Sequence, residues 1–203
     1  AGPLRFRLMD VMDPPAPEGL PLAPFFTVHD TRYQMYWEVA AREKIAGRKD
    51  KLAAAEKLKA AREAATLDMV TAGEQQPEVE HDLKGEGMEK GVHEGRHWRH
   101  GAWFQYTLNS KGEKNAELEI TCWGGDAGRV FDILANDQVI ATVELKNEKP
   151  GEFIAKRYPL PKELLETAPD GRVTVKFQAK KWLAGGIFEV RLMKPESAAP
   201  SDR

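Results

Sequence analysis

A chain of 203 residues, 41% of them hydrophobic, is long enough for a packed core. Its 30 Lys and Arg against 32 Asp and Glu leave a formal charge of only -2, with no footprint for nucleic acid or an anionic membrane surface. The single cysteine, Cys122, excludes an intramolecular disulfide and any multi-cysteine zinc site within the chain, and no run approaches the roughly 18 apolar residues that span a bilayer.

No signal-peptide pattern is read at the start, and the opening Ala1-Gly2 without methionine reads as a cloning scar or a processed end, so a fragment whose targeting signal lay elsewhere is expected. The lack of disulfides leaves the compartment open. Residues 4–9 alternate weakly, as a short strand does, and Pro14, Pro15, Pro17, Pro21 and Pro24 then dictate an irregular connection. The aromatic-rich stretch 22–37 reads as one bent strand or two short ones. From 38 to about 65 the composition shifts to Ala, Glu, Lys and Arg, which predicts a long helix. Its narrow apolar stripe, Ala41, Ile45, Leu52, Ala55 and Leu58, predicts that one edge docks while the rest faces water.

Residues 66–101 are polar and glycine-punctuated, and read as a long loop. Seven strands are expected after it, at 102–109, 116–123, 129–135, 138–146, 153–158, 172–179 and 186–193. Along 116–123, Ala116, Leu118, Ile120 and Cys122 alternate with Glu117, Glu119 and Thr121, giving one buried and one wet face. Gly124 to Gly128 and Asn136-Asp137-Gln138 read as turns, and Gly185-Gly186 as a bulge or turn. Seven strands at this spacing imply a β-sandwich. The tail 195–203 is expected to be disordered.

Three segments together resemble the C-terminal accessory region of bacterial β-L-arabinofuranosidase-type glycoside hydrolases, glycoside hydrolase family 127 and its relatives. They are Pro24-Phe25-Phe26 through His29-Asp30-Thr31-Arg32-Tyr33-Gln34-Met35-Tyr36-Trp37, the block Gly73-Glu74-Gln75-Gln76-Pro77-Glu78 through His81, and Trp98-Arg99 followed by Gly101-Ala102-Trp103-Phe104-Gln105-Tyr106. With Phe131-Asp132-Ile133 and Asn136, the resemblance spans most of 20–193. It implies the tail of a longer, periplasmic or secreted hydrolase. It places no catalytic residue on this chain, since that family is understood to use a helical barrel, a cysteine nucleophile and a cysteine-held zinc. The strand-rich part also resembles a galactose-binding-like jelly roll, a shape shared by many carbohydrate-binding modules.

Sugar recognition needs flat aromatic faces together with carboxylate, amide or guanidinium groups. Glu78, His81, Trp98, Arg99, Trp103 and Trp182 are the candidate ligand-binding residues, with Trp123 as a further aromatic. Against this stands the ordinary fate of tryptophan in a sandwich: Trp103 and Trp123 as core, Trp98 as the seal of a loop. His93, His97 and His100 have a spacing that zinc can use, but the glycines around them favour a surface loop, so no metal site is assigned. Glu74, Glu78, Glu80 and Asp82 are donors of the kind a structural calcium ion takes, without EF-hand spacing. Glu78 with His81, or with Glu74, would suit an acid and base pair, yet acids in a polar loop more often cap or salt-bridge.

The expected fold class is mainly β: a jelly-roll-type sandwich preceded by one long helix and an N-terminal strand-containing segment. The expected domains are a sandwich remnant at 1–37, a connecting helix at 38–66, the sandwich at 67–194 and the tail. The expected function is a non-catalytic accessory domain of a multi-domain glycoside hydrolase, binding carbohydrate or positioning the catalytic domain. The alternative is a purely structural module with no ligand. The expected partners are carbohydrate, the parent's catalytic domain or both, with no nucleic acid and no membrane.

Overall fold

A computed structural model describes residues 6–8, 20–22 and 42–195. The chain divides into two compact units, Ala1–Ala53 and Ala54–Arg203. In the first, strand β1 (Phe6–Leu8) pairs antiparallel with β2 (Leu20–Leu22). The short strand expected near residue 6 is present, whereas Pro21 lies opposite Arg7 in a stretch read as purely irregular. Proline is tolerated there because a two-stranded ribbon consists of edges. The aromatic segment 23–37 and the tail from 196 lie outside the described residues, as does the sandwich remnant expected at 1–37 apart from these two strands.

Helix α1 (Arg42–Ala65) forms where the Ala, Lys, Glu and Arg run predicts it. The expected docking edge does not form over its middle: Leu52 and Leu58 are 58% and 72% exposed. A stripe of so few large residues has little apolar area to bury, and the helix is held at its last turn instead. There Arg62 donates from Nε to Glu119 Oε1 at 2.9 Å and from Nη2 to Glu189 Oε1 at 2.8 Å. Thr66 Oγ1 bonds back to the Arg62 carbonyl at 2.8 Å, and the chain turns directly into a strand.

The second unit is an antiparallel sandwich. After α1 come β3 (Thr66–Thr71), α2 (Gln75–Glu80), β4 (Lys84–Glu86), β5 (Glu89–His93), β6 (Arg96–Gly101) and β7 (Trp103–Asn109). Then follow β8 (Glu117–Trp123), β9 (Ala127–Ala135), β10 (Gln138–Lys146), β11 (Phe153–Pro159), α3 (Lys162–Glu166), β12 (Arg172–Lys181) and β13 (Ala184–Met193). One sheet has the order β10-β9-β12-β7-β4. The other has β11-β8-β13-β6-β5, with β3 also on β13. β6 pairs with the first half of β13, Ala184 to Ile187, and β3 with the second, Glu189 to Met193.

The seven strands expected from residue 102 onward are all present, but the wet face expected along 116–123 is not: Glu119 and Thr121 are buried, Glu119 beneath Arg62 and Arg157. Phe104, Tyr106 and Leu108, with Phe131, Ile133, Val175 and Phe177, meet Leu118, Ile120, Cys122, Ile187, Val190 and Leu192 across the core. Each such side chain contributes about 1.5–3 kcal/mol on burial. The Asn136-Asp137 turn has both residues at positive φ, 44° and 65°, as a two-residue hairpin turn requires. The Gly124-Gly125-Asp126 connection instead carries the chain from one sheet to the other. Gly185 and Gly186, both at positive φ, form a bulge in β13 where the register shifts.

The loop expected at 66–101 is the main correction. It supplies one helix and four strands to both sheets. Strands such as Glu89–His93 and Arg96–Gly101 carry Gly, His and Arg where an alternating apolar pattern would announce a strand. Among the described residues β5 pairs only with β6, across a two-residue turn, and β6 is held in the sheet by β13, far on in the sequence, a context that propensity does not record.

Candidate aromatic binding cavity

β5 and β6 form a hairpin whose turn, Glu94-Gly95, has φ of 47° and 73°, the geometry of a tight two-residue turn. Gly91 lies opposite Trp98 in this hairpin. A Cβ at 91 would come within 2.6 Å of Trp98 Cζ2, so the missing side chain is what lets the indole lie across the neighbouring strand. Cys122 points into the core, so Trp123 points outward by strand alternation. Gly125 leaves room for its indole, since a Cβ there would meet Nε1 at 2.6 Å.

Asp126 and Arg129 complete the polar wall. Asp126 Oδ1 accepts from Ala127 N at 3.0 Å, and Oδ2 lies 2.8 Å from Arg129 Nε, an ion pair without the alignment of a hydrogen bond. A Cβ at Gly186 would meet Asp126 Oδ2 at 2.6 Å, so the β13 bulge also makes space for this carboxylate. Arg129 Nη1 lies 3.2 Å from His100 Nδ1, and His100 Nε2 lies 3.2 Å from Glu89 Oε2. Guanidinium only donates, so Nδ1 accepts and Nε2 carries the proton toward Glu89.

Together Val92, Trp98, Trp123, Asp126, Arg129 and Phe188 line a cavity of about 380 Å³, with His93 and two glycines. His93 and Phe153 each stand nearly perpendicular to the Trp123 indole, at 4.4 Å and 5.1 Å between centroids, which fixes its angle. Beside the cavity, Trp182 is 69% exposed and lies 5.1 Å from the Arg129 guanidinium. Its φ of 65° is an outlier for a bulky residue and costs of order 1–3 kcal/mol. A strained, exposed tryptophan is not explained by packing.

The six residues singled out from sequence fall in four places. Trp98 lines the cavity and Trp182 adjoins it. Trp103 lies on the outer face of the other sheet, donating to Glu86 Oε2 at 3.3 Å beneath Lys176 Nζ, 4.6 Å from its ring centroid. His81 lies between the Pro77 carbonyl oxygen, at 2.6 Å, and Asp68 Oδ1, at 3.1 Å.

Glu78 and Arg99 are buried together. Glu78 accepts from Arg99 Nε, from Arg99 Nη2 at 2.5 Å, from Gly73 N at 2.7 Å and from Tyr106 Oη at 2.9 Å. Burial pushes the Glu78 carboxyl up, but the bonds from Arg99, Gly73 and Tyr106 outweigh it and hold the group below the usual carboxylate range. Burial, then the Glu78 charge, pushes the Tyr106 phenol up.

Parity puts Trp123 on the face opposite inward Cys122, but that face also buries Glu119 and Thr121, so its half-exposure at the strand end was not readable. Asp126 and Arg129 carried no such signal: their role depends on the turn between the two sheets and on His100, 29 residues away. His93 and His100 share one face of the hairpin while His97 takes the other, so the three histidines do not converge. Among the described residues no group of His, Cys, Asp and Glu has the arrangement of a metal site. Cys122 is fully buried, and burial pushes its thiol up to about 12, far from a reactive thiolate.

The model of a family of unknown function, DUF6805, matches residues 61–193, and that of a domain of unknown function, DUF4986, matches residues 1–39. No curated protein matches the chain. Among solved structures, a family 35 carbohydrate-binding module from Clostridium thermocellum is 10% identical, with a TM-score of 0.46 over 62% of this chain and 96% of that one. The C-terminal CBM6 of LamC from Zobellia galactanivorans is 14% identical, with a TM-score of 0.39 over 62% and 98%. An exo-β-1,3-galactanase from Phanerochaete chrysosporium is 13% identical, with a TM-score of 0.42 over 63% of this chain and 29% of that one. At these scores no ligand or residue role transfers to this chain.

Proposed function

We propose that this chain, which belongs to the DUF6805 family of unknown function, is a non-catalytic module that holds carbohydrate in the Trp98 and Trp123 cavity on behalf of a parent glycoside hydrolase. The observation that carries the reading is the cavity itself: two indoles and the Asp126 and Arg129 pair line one space of about 380 Å³. Indole faces suit the apolar side of a sugar ring, and the carboxylate and guanidinium suit its hydroxyls. Three glycines, Gly91, Gly125 and Gly186, leave the space these side chains occupy.

The test is a glycan array followed by tryptophan-fluorescence titration with arabinose-containing oligosaccharides. Trp123→Ala is expected to weaken binding about 30-fold, the ~2 kcal/mol of a central aromatic contact. If no sugar perturbs the signal, and Trp98→Ala alters stability alone, the binding reading is abandoned.

A second reading, a structural brace without a ligand, is favoured by the ion cluster in which Arg62 at the end of α1 bonds Glu119 and Glu189. On that reading Arg62→Ala loosens the parent enzyme, and no glycan binds.

A further inference from the structure

We infer that His100 is a positioning residue of the cavity: as a neutral imidazole it holds the Arg129 guanidinium in place for a glycan, and on gaining a proton it lets go, so that the site releases its ligand as pH falls. This inference rests on the carbohydrate reading above and adds the regulation of that site.

His100 lies on β6 two residues beyond Trp98, on the same face, and is only 8% exposed. Its ring stands 4.8 Å from the Trp98 indole between centroids, tilted by 38°, so it touches the aromatic wall of the cavity as well as Arg129. A buried imidazole needs partners for both nitrogens. These are Arg129 Nη1 on β9 and Glu89 Oε2 on β5, each at 3.2 Å. On its other side β13 places Gly185 opposite, which brings no titratable group, and Asp126 lies one step further, beside Arg129 Nε. The Asp126 contact lacks the alignment of a hydrogen bond, and the Trp182 ring over which Arg129 sits has no lone pair to accept one. The direction of the guanidinium is therefore set by the lone pair on His100 Nδ1. That lone pair exists only in the neutral ring. Protonation sets an N–H and a second positive charge against Arg129, while the Nε2 proton stays with Glu89 at the surface. Histidine is the side chain that makes this change between about pH 5 and 8.

The experiment is isothermal titration calorimetry of the whole chain with arabinotriose and galactotriose at about pH 8 and about pH 5, in wild type, His100→Asn and His93→Gln. Asparagine offers an amide oxygen near the place of Nδ1 and gains no proton. His93 is the other histidine of the cavity and the rival source of a pH effect. For the sugar that binds, wild type is expected to lose affinity about tenfold at the lower pH, the worth of one charged hydrogen bond. His100→Asn is expected to stay, at both pH values, within about threefold of wild type at the higher one, and His93→Gln to lose affinity as wild type does. Equal wild-type affinity at both pH values, a loss that persists in His100→Asn, a His100→Asn that is weak at both, or a loss that His93→Gln abolishes overturns the role of His100 and leaves carbohydrate binding standing. No heat from either sugar overturns both. Nitrogen-15 NMR of the wild-type imidazoles, without sugar, guards against a substitution that loosens the hairpin. At about pH 8 the His100 proton is expected on Nε2 alone, and a proton on Nδ1 overturns the inference whatever the sugars do.

Discussion

Two arginine and carboxylate pairs in one sandwich have opposite fates. Glu78 and Arg99 are buried, and their oxygens and nitrogens are met by each other, by Gly73 and by Tyr106. Asp126 and Arg129 sit in a cavity wall shared with two indoles, with a misaligned ion pair. The same chemistry is structural where the carboxylate is met by internal donors on both oxygens and available for recognition where the pair sits in a cavity wall. A buried carboxylate already met by four internal donors has nothing to offer a sugar, whatever its residue type suggests in sequence.

The largest expected effect separates the two pairs by stability. Arg99→Ala leaves Glu78 as an uncompensated buried charge and is expected to cost 3–5 kcal/mol, roughly, in urea unfolding, with glycan affinity of the folded fraction unchanged. Arg129→Gln is expected to do the reverse: about tenfold weaker glycan binding, the ~1.5 kcal/mol of a charged hydrogen bond, with stability altered by no more than about 1 kcal/mol because Asp126 stays partly hydrated. If Arg99→Ala weakens binding more than Arg129→Gln does, the contrast between the pairs is wrong.

Acid unfolding tests the same contrast on one axis. Burial raises the carboxyls of Glu78, Glu119 and Glu189, but the arginines bonded to them outweigh it and hold all three below the usual range. A depressed folded pKa means stability is fully present above the unfolded carboxylate pKa, about 4.3, and is lost as pH falls toward the lower folded values. The expected curve is flat from neutral pH to about 5 and falls below that, and Glu78→Gln shallows the fall. An unchanged slope in that variant would remove Glu78 from the account.

Smaller effects belong to the packing of the cavity. Gly91→Ala must displace Trp98 and is expected to reduce glycan affinity several-fold at a cost near 1 kcal/mol in stability. Arg62→Ala, at a side chain 35% exposed, is expected to cost less than about 1 kcal/mol, because water screens the pair.

The strands from Trp103 onward were legible because most alternate apolar and polar residues against a core that both sheets share, although β8 and β13 are buried on both faces. The half of the sandwich before Trp103 was not. β5 and β6 carry Trp98, His100 and Arg96 on one face opposite Gly91, with no apolar alternation, and β13, which holds β6 in the sheet, lies far on in the sequence. The same holds for the sites. Trp98 and Trp182 could be named from their type, but only the fold separates Glu78 and Arg99, joined across 21 residues in the interior, from Asp126 and Arg129 at the surface.

The most direct test of the central claim is an NMR titration following the indole N–H signals as an array-selected oligosaccharide is added. The Trp98, Trp123 and Trp182 signals are expected to move together and saturably, while Trp103, on the other sheet, stays in place. A ligand that shifts Trp103 and leaves the other three untouched, or a panel that shifts none, would contradict a glycan site in this cavity.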